Sequence, residues 1–168
     1  YIVSHVTPTN SASTYFPSDV SEISDNQQSY FLIKINELNN SKIIISCQNI
    51  ICKFNNMEEV DISRALYEAS NAGTLIQLIV RGFCCVKPGV KGLSANIHVQ
   101  STLGRFLEHS RIFYFRNGQP DPIDGDFYIG SADLMYRNLH HRVEVVTPLL
   151  DRAVKERVWE LLQLYLRD

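Results

Sequence analysis

His109 and Arg111 stand two residues apart in FLEHSRIFYF, just before an apolar run. Residues two apart on an extended chain project to the same side. An imidazole beside a guanidinium joins a group that can exchange a proton or a phosphoryl to one that grips phosphate oxygens through two parallel N–H bonds. A second cluster lies in GSADLMYRN (130–138). There Ser131 can bind a phosphate oxygen, and Asp133 can orient an imidazole through its ring N–H. Each cluster alone has a plainer explanation. His109 also fits a strand-edge histidine with a satisfied hydrogen bond, and Ser131 or Asp133 fits a cap on the next helical turn.

Taken together the two clusters say more. A His-x-basic pair on one strand, followed by Gly-Ser-x-acidic at the end of its neighbour, resembles the half-site layout of the phospholipase D superfamily. Arg111 stands where that superfamily usually carries lysine. Such half-sites normally face one another in pairs, and this chain supplies one. Arg81 ends the apolar run LIQLIV (75–80), where a buried strand terminus would hold a guanidinium rigidly, although a surface arginine fits equally well. Lys87 and Lys91 add local positive charge, and Lys34 and Asn36 could reach the same sheet edge. His140 and His141 are adjacent rather than four apart and lack a carboxylate cluster, which favours a solvated turn over a metal site.

Several elements must position these residues. Tyr30 begins YFLIKI, a short buried strand. DISRALYEASNAG reads as a helix with Asp61 as N-cap, Ile62, Ala65, Leu66 and Ala69 on one face, and Gly73 closing its end. LIQLIV is apolar almost throughout, as a strand covered on both faces should be. The loop after it, RGFCCVKPGVKGLSAN, lies where open α/β sheets bind ligands. Strands are expected at 97–101, 111–115, 126–130 and 142–146, with Asn117-Gly118 turning the second of these into the third. The last segment, DRAVKERVWELLQLYLRD, is a helix with Val154, Val158, Leu161, Leu162 and Tyr165 along one side. This order predicts an α/β domain with a mixed sheet.

The 168 residues suffice for one domain, and a composition 45% hydrophobic and 20% charged suits a globular chain. No run of eighteen apolar residues occurs, so no transmembrane segment is expected. A net charge of −2 argues against a broad nucleic-acid surface, though not against one basic pocket. Cys47, Cys52, Cys84 and Cys85 form no CxxC pair and read as idle thiols in a reducing compartment. Residues 1–29 are polar and aperiodic and read as a surface or disordered lead-in. The chain opens without an initiator Met or a signal peptide and is expected to be part of something longer.

LIVRGFCCVKPGVKGLSANI, STLGRFLEHSRIFYF and YIGSADLMYRNLHHRVEVVTPLLD resemble the C-terminal part of bacterial-type polyphosphate kinases. The similarity runs from about Glu58 to Asp168, with KIN at 34–36 as an earlier anchor. It implies a phospholipase D-like α/β domain over 30–168, its mixed β-sheet flanked by helices. KINEL would join EEVDISRALYEAS smoothly if about 39–57 were removed, so that stretch reads as an insertion. The resemblance implies reversible transfer of the terminal phosphate of ATP to inorganic polyphosphate through a phosphohistidine, with Mg2+. By the same resemblance Arg81 contacts nucleotide, and His109 is the family's second active-site histidine, also touching ATP. Arg81 and Arg111 are then expected to neutralise charge on the phosphoryl oxygens, with Lys34, Asn36, Ser131 and Asp133 in supporting roles on phosphate.

The family's phosphorylated histidine lies in a KIHAK-type segment that does not occur in these residues. That nucleophile and the main magnesium ligands are therefore expected upstream, and the isolated piece is expected to be inactive. The partners implied are ATP, ADP, polyphosphate and the upstream half of the same enzyme, in a homo-oligomeric cytoplasmic protein with peripheral membrane association left open. Two other functions stay open at this point: a phospholipase D-like phosphodiester hydrolase, and a non-catalytic polyanion-binding fragment.

Overall fold

A computed structural model describes residues 49–167. The expected lead-in at 1–29, the strand beginning at Tyr30, Lys34, Asn36 and Cys47 all lie outside the described residues. Six strands form one mixed sheet: β1 (Asn49–Phe54), β2 (Leu75–Val80), β3 (Ile97–Ser101), β4 (Ile112–Phe115), β5 (Asp126–Gly130) and β6 (Val146–Pro148). Helix α1 (Val60–Asn71) joins β1 to β2, the short α2 (Tyr136–His140) precedes β6, and α3 (Arg152–Arg167) ends the domain. Their spatial order is β3-β2-β1-β4-β5-β6. β1, β2 and β3 run parallel, whereas β4, β5 and β6 each pair antiparallel to the preceding neighbour in the sheet.

β1 corrects the expected insertion. Residues 49–54 form a central strand, paired to β2 on one side and β4 on the other. Ile50, Ile51 and Phe54 are fully buried, each contributing about 1.5–3 kcal/mol of apolar burial. NIICKF is apolar on both faces because both faces are covered. Alternate residues divide between two cores. Ile50, Cys52 and Phe54 pack with Ile62, Leu66 and Leu78 on the α1 side, while Ile51 packs with Ile79, Tyr114, Phe127 and Leu162 on the α3 side. Trp159 of α3 closes the second core against Tyr114, ring centroids 5.0 Å apart.

The helix α1 covers the face expected of it, and Gly73 takes a positive φ just beyond its end. Its start differs from expectation. Glu59 occupies the N-cap position, and Asp61 sits in the first turn, paired with Arg64 at 3.0 Å. The hairpin of β4 and β5 turns through Asn117 and Gly118, both with positive φ. The strand expected at 142–146 is corrected to Val146–Pro148. Val143 and Val145 are exposed and Glu144 is buried, so the alternation of that segment runs opposite to its hydrophobicity.

Candidate active site

Because β4 runs against β1, the start of β4 lies beside the end of β1. The end of β2 and the turn after β5 fall on the same edge of the sheet. That edge gathers Asn55, Arg81, Arg111 and Asp133 into one hydrogen-bonded chain. The buried Asp133 carboxylate accepts from Arg111 Nε and a terminal guanidinium nitrogen at 3.2 and 3.0 Å. It also accepts from the Asn55 backbone N–H at 2.8 Å and from Asn55 Nδ2 at 3.1 and 3.3 Å. Burial is the largest single influence on this carboxyl and opposes its ionisation. The bonds from Arg111 and Asn55 together outweigh burial and hold its pKa below the ordinary value.

Asn55 is the hub. Its Nδ2 faces Asp133, and its Oδ1 accepts from Arg81 Nε at 2.8 Å. One amide therefore fixes the guanidinium at the end of β2 relative to the carboxylate after β5. Arg111 completes the chain by donating to His109 Nδ1 at 2.9 Å and to the His109 carbonyl at 3.0 Å. The other terminal guanidinium nitrogen lies 3.4 Å from His109 Nε2, so both ring nitrogens face Arg111. His109 itself is exposed at the mouth of this arrangement. Lys53, fully buried beside it, donates to the Ser110 carbonyl at 3.1 Å and lies 3.4 Å from Glu108.

His109, Arg111, Asp133 and Arg81 lie together on this edge, but Asp133 bonds to Arg111 and Asn55 and not to the imidazole it was expected to orient. Ser131 does not join them as a free hydroxyl: it donates to Glu144 and accepts from the Val145 N–H at 3.0 Å. Glu144 also accepts from Asn138 Nδ2 at 2.6 Å, which is why a carboxylate is buried in that segment. Lys87 and Lys91 are exposed on the loop after β2. His140 stacks on Tyr136 with ring centroids 4.4 Å apart and lies 3.6 Å from Glu59.

Sequence reasoning missed Lys53 and Asn55. The signal for them was the Lys-x-Asn spacing, which occurs twice, at 34–36 and at 53–55. The second occurrence closes a buried apolar run, as Arg81 does. Among the described residues, no group of three or more His, Cys, Asp or Glu side chains could hold a metal ion. Both oxygens of Asp133 are committed to Arg111 and Asn55, so these residues do not fit a magnesium site. No helix of the described residues is long and apolar enough to cross a membrane.

Comparison with known proteins shows the family of the chain. A sequence model of the polyphosphate kinase C-terminal domain 2 matches residues 46–168. A polyphosphate kinase of Thermosynechococcus vestitus is 52% identical over 120 residues, which are 71% of this chain and 16% of that protein. The crystal structure of polyphosphate kinase from Porphyromonas gingivalis superposes with a TM-score of 0.78 at 34% identity, covering 85% of this chain and 21% of that one. Nuc from Salmonella typhimurium, a phospholipase D family member, gives a TM-score of 0.54 at 14% identity, covering 81% of this chain and 86% of that one. This last likeness shows the fold alone: a phospholipase D-like α/β domain. The family match includes β1 and begins C-terminal to Lys34 and Asn36, and the chain spans about one-sixth of the length of the Thermosynechococcus relative. The chain belongs to the polyphosphate kinase C-terminal domain family.

Proposed function

We propose that this domain handles the terminal phosphates of ATP and polyphosphate during reversible phosphoryl transfer, with His109, Arg81 and Arg111 meeting the transferring group. The observation that carries this reading is the chain Arg81–Asn55–Asp133–Arg111–His109. Two guanidinium groups are held by one buried amide and one buried carboxylate beside an exposed imidazole. Charge spreads over the phosphoryl oxygens in such a transfer, so fixed cations aimed at one place are what the reaction needs.

The attacking histidine comes from a part of the enzyme outside residues 49–167. Its ring nitrogen forms a bond to the γ-phosphorus of ATP as the bond from that phosphorus to the bridging oxygen breaks, and ADP leaves. The terminal oxygen of polyphosphate then attacks the same phosphorus, and the nitrogen–phosphorus bond breaks. His109 donates to the leaving oxygen of ADP, while Arg81 and Arg111 offset the developing charge. Asp133 takes no direct part, because its oxygens are occupied. Magnesium has no ligand set among these residues, and no step is assigned to it. ATP, ADP and polyphosphate are the partners this reading implies.

The test grafts residues 46–168 into the Thermosynechococcus enzyme in place of its matching segment and follows ATP-dependent polyphosphate growth. Growth is expected. A graft that folds and binds polyphosphate without extending it would favour a non-catalytic polyanion-binding domain. Cleavage of a phosphodiester without ATP would favour a hydrolase.

A further inference from the structure

Lys53 is completely buried, yet the fold has little need of its charge. It stands at the end of a strand whose other residues on both faces are mostly apolar, and a buried ion pair is often no more stabilising than an apolar side chain of similar volume. Its contacts are specific. Nζ lies 3.4 Å from Glu108 Oε1 and donates to the Ser110 carbonyl at 3.1 Å, so one ammonium holds the residues on either side of His109.

Glu108 folds back within the same turn. Its Oε1 accepts from the Ser110 N–H at 3.0 Å and from the Ser110 hydroxyl at 2.5 Å. Tyr165, in the last turn of α3, stands beside Glu108 and places its ring 5.7 Å from Lys53 Nζ. The Tyr165 carbonyl in turn accepts from Gln100 Nε2, which ties the end of α3 to β3. The turn Glu108–His109–Ser110 is thus clamped from below by β1 and from the side by α3. Without the clamp, the residues on both sides of His109 would be solvent-facing loop. Leu103, Phe106 and Leu107 just before it are 73–84% exposed and give that loop no core of its own.

We infer that Lys53, acting with Glu108 and Tyr165, is a positioning residue that fixes the backbone turn carrying His109 and so the direction of its imidazole. It acts through His109, since a fully buried ammonium cannot reach a substrate phosphate. Arg111 sets the ring from the side-chain end, and Lys53 sets the turn from the backbone end. The inference rests on the proposed role of His109 only for its kinetic consequence.

The test has two arms. In the full 168-residue chain with 15N-labelled histidine, His109 is assigned by its loss in His109→Gln. Its ring-nitrogen signals then report the setting in which the turn and Arg111 hold the imidazole. In Lys53→Met they should shift, while those of His98, His140 and His141 stay in place. In the grafted enzyme Lys53→Met should lower kcat by about 100-fold, the scale of an ångström-sized misplacement, with KM for polyphosphate unchanged. Unchanged His109 signals in a folded Lys53→Met chain would overturn the inference. Should Lys53→Met fail to fold, Ser110→Ala and Glu108→Gln each remove one tie at a partly exposed site. Both are expected to move the same His109 signals, and two unmoved spectra would overturn the inference equally. If the unmodified graft makes no polyphosphate, the functional reading fails while the spectra still decide this point.

Discussion

Replacing Asp133 with Asn keeps its shape and removes its charge, which makes it the sharpest perturbation of the site. The carboxylate now accepts from both edges of Arg111 and from two groups of Asn55. An amide retains one accepting oxygen and turns an N–H donor toward another donor. The Arg111 side chain is only 12% exposed and Asp133 7%, so water repairs little of the loss. Breaking a buried pair costs about 3–5 kcal/mol. The guanidinium keeps its bonds to His109 at the site mouth, so the lower end, about 3 kcal/mol, is expected. With a urea slope of about 1.5 kcal/mol/M, the unfolding midpoint should fall by about 2 M.

The same variant should also differ from wild type in its response to acid. The folded carboxyl has a depressed pKa. Its contribution is therefore complete above the unfolded carboxyl pKa of about 4 and is lost as pH falls through the lower folded value. The gap between wild type and Asp133→Asn should be full at neutral pH and close as the solution is acidified below pH of about 4. Adding Arg111→Met to Asp133→Asn should recover part of the loss, since the unpaired cation is then gone. A midpoint unchanged at neutral pH, or a gap that persists into strong acid, would refute the proposed pairing.

Other consequences can be measured separately. Asn55→Ala should lower affinity for tripolyphosphate by about tenfold, the scale of one lost hydrogen bond to a charged group, because Arg81 loses its anchor; calorimetric titration reads it. Gly130→Ala should destabilise the chain by about 1–3 kcal/mol in urea unfolding, since a Cβ there would lie 2.5 Å from the Val145 carbonyl oxygen. Burial pushes the Cys52 thiol up to about 12, so native alkylation at pH 8 should label the exposed Cys85 and spare Cys52 until the chain is unfolded. Glu108 is held down to about 2, chiefly by the Ser110 hydroxyl. Any stability lost in Glu108→Gln should therefore be present above the ordinary glutamate range and vanish as pH approaches 2.

Much of this architecture was legible in local patterns. LIQLIV, IHVQS and DFYIG announced strands through length and apolar content, and the terminal helix showed one apolar side. Asn117-Gly118 signalled the β4–β5 turn because both positions need positive φ. β1 was obscured by its setting. NIICKF follows a stretch that opens on paired asparagines, and its long-range partners β2 and β4 lie more than twenty residues downstream. Residues 142–146 misled for the opposite reason: their valines look inward by hydrophobicity, but Ser131 and Asn138 supply bonds that bury Glu144 instead.

The site followed the same division. His109, Arg111 and Asp133 could be found from spacing, since each belongs to a short motif. Asn55 could not, because an asparagine beside a second asparagine reads as a turn. Only the sheet shows that its amide joins Arg81 to Asp133. Lys53 was hidden by a general preference, since lysine is rarely buried without a partner, and its partners lie 55 and 57 positions away in sequence.

The most direct measurement of the central claim is transfer of labelled γ-phosphate from ATP to polyphosphate by the grafted enzyme carrying His109→Gln. Loss of chain growth with an unchanged unfolding midpoint is the result expected of a histidine that meets the transferring phosphoryl group. Chain growth at the unmodified rate would contradict it and move the phosphate-handling site away from this edge of the sheet.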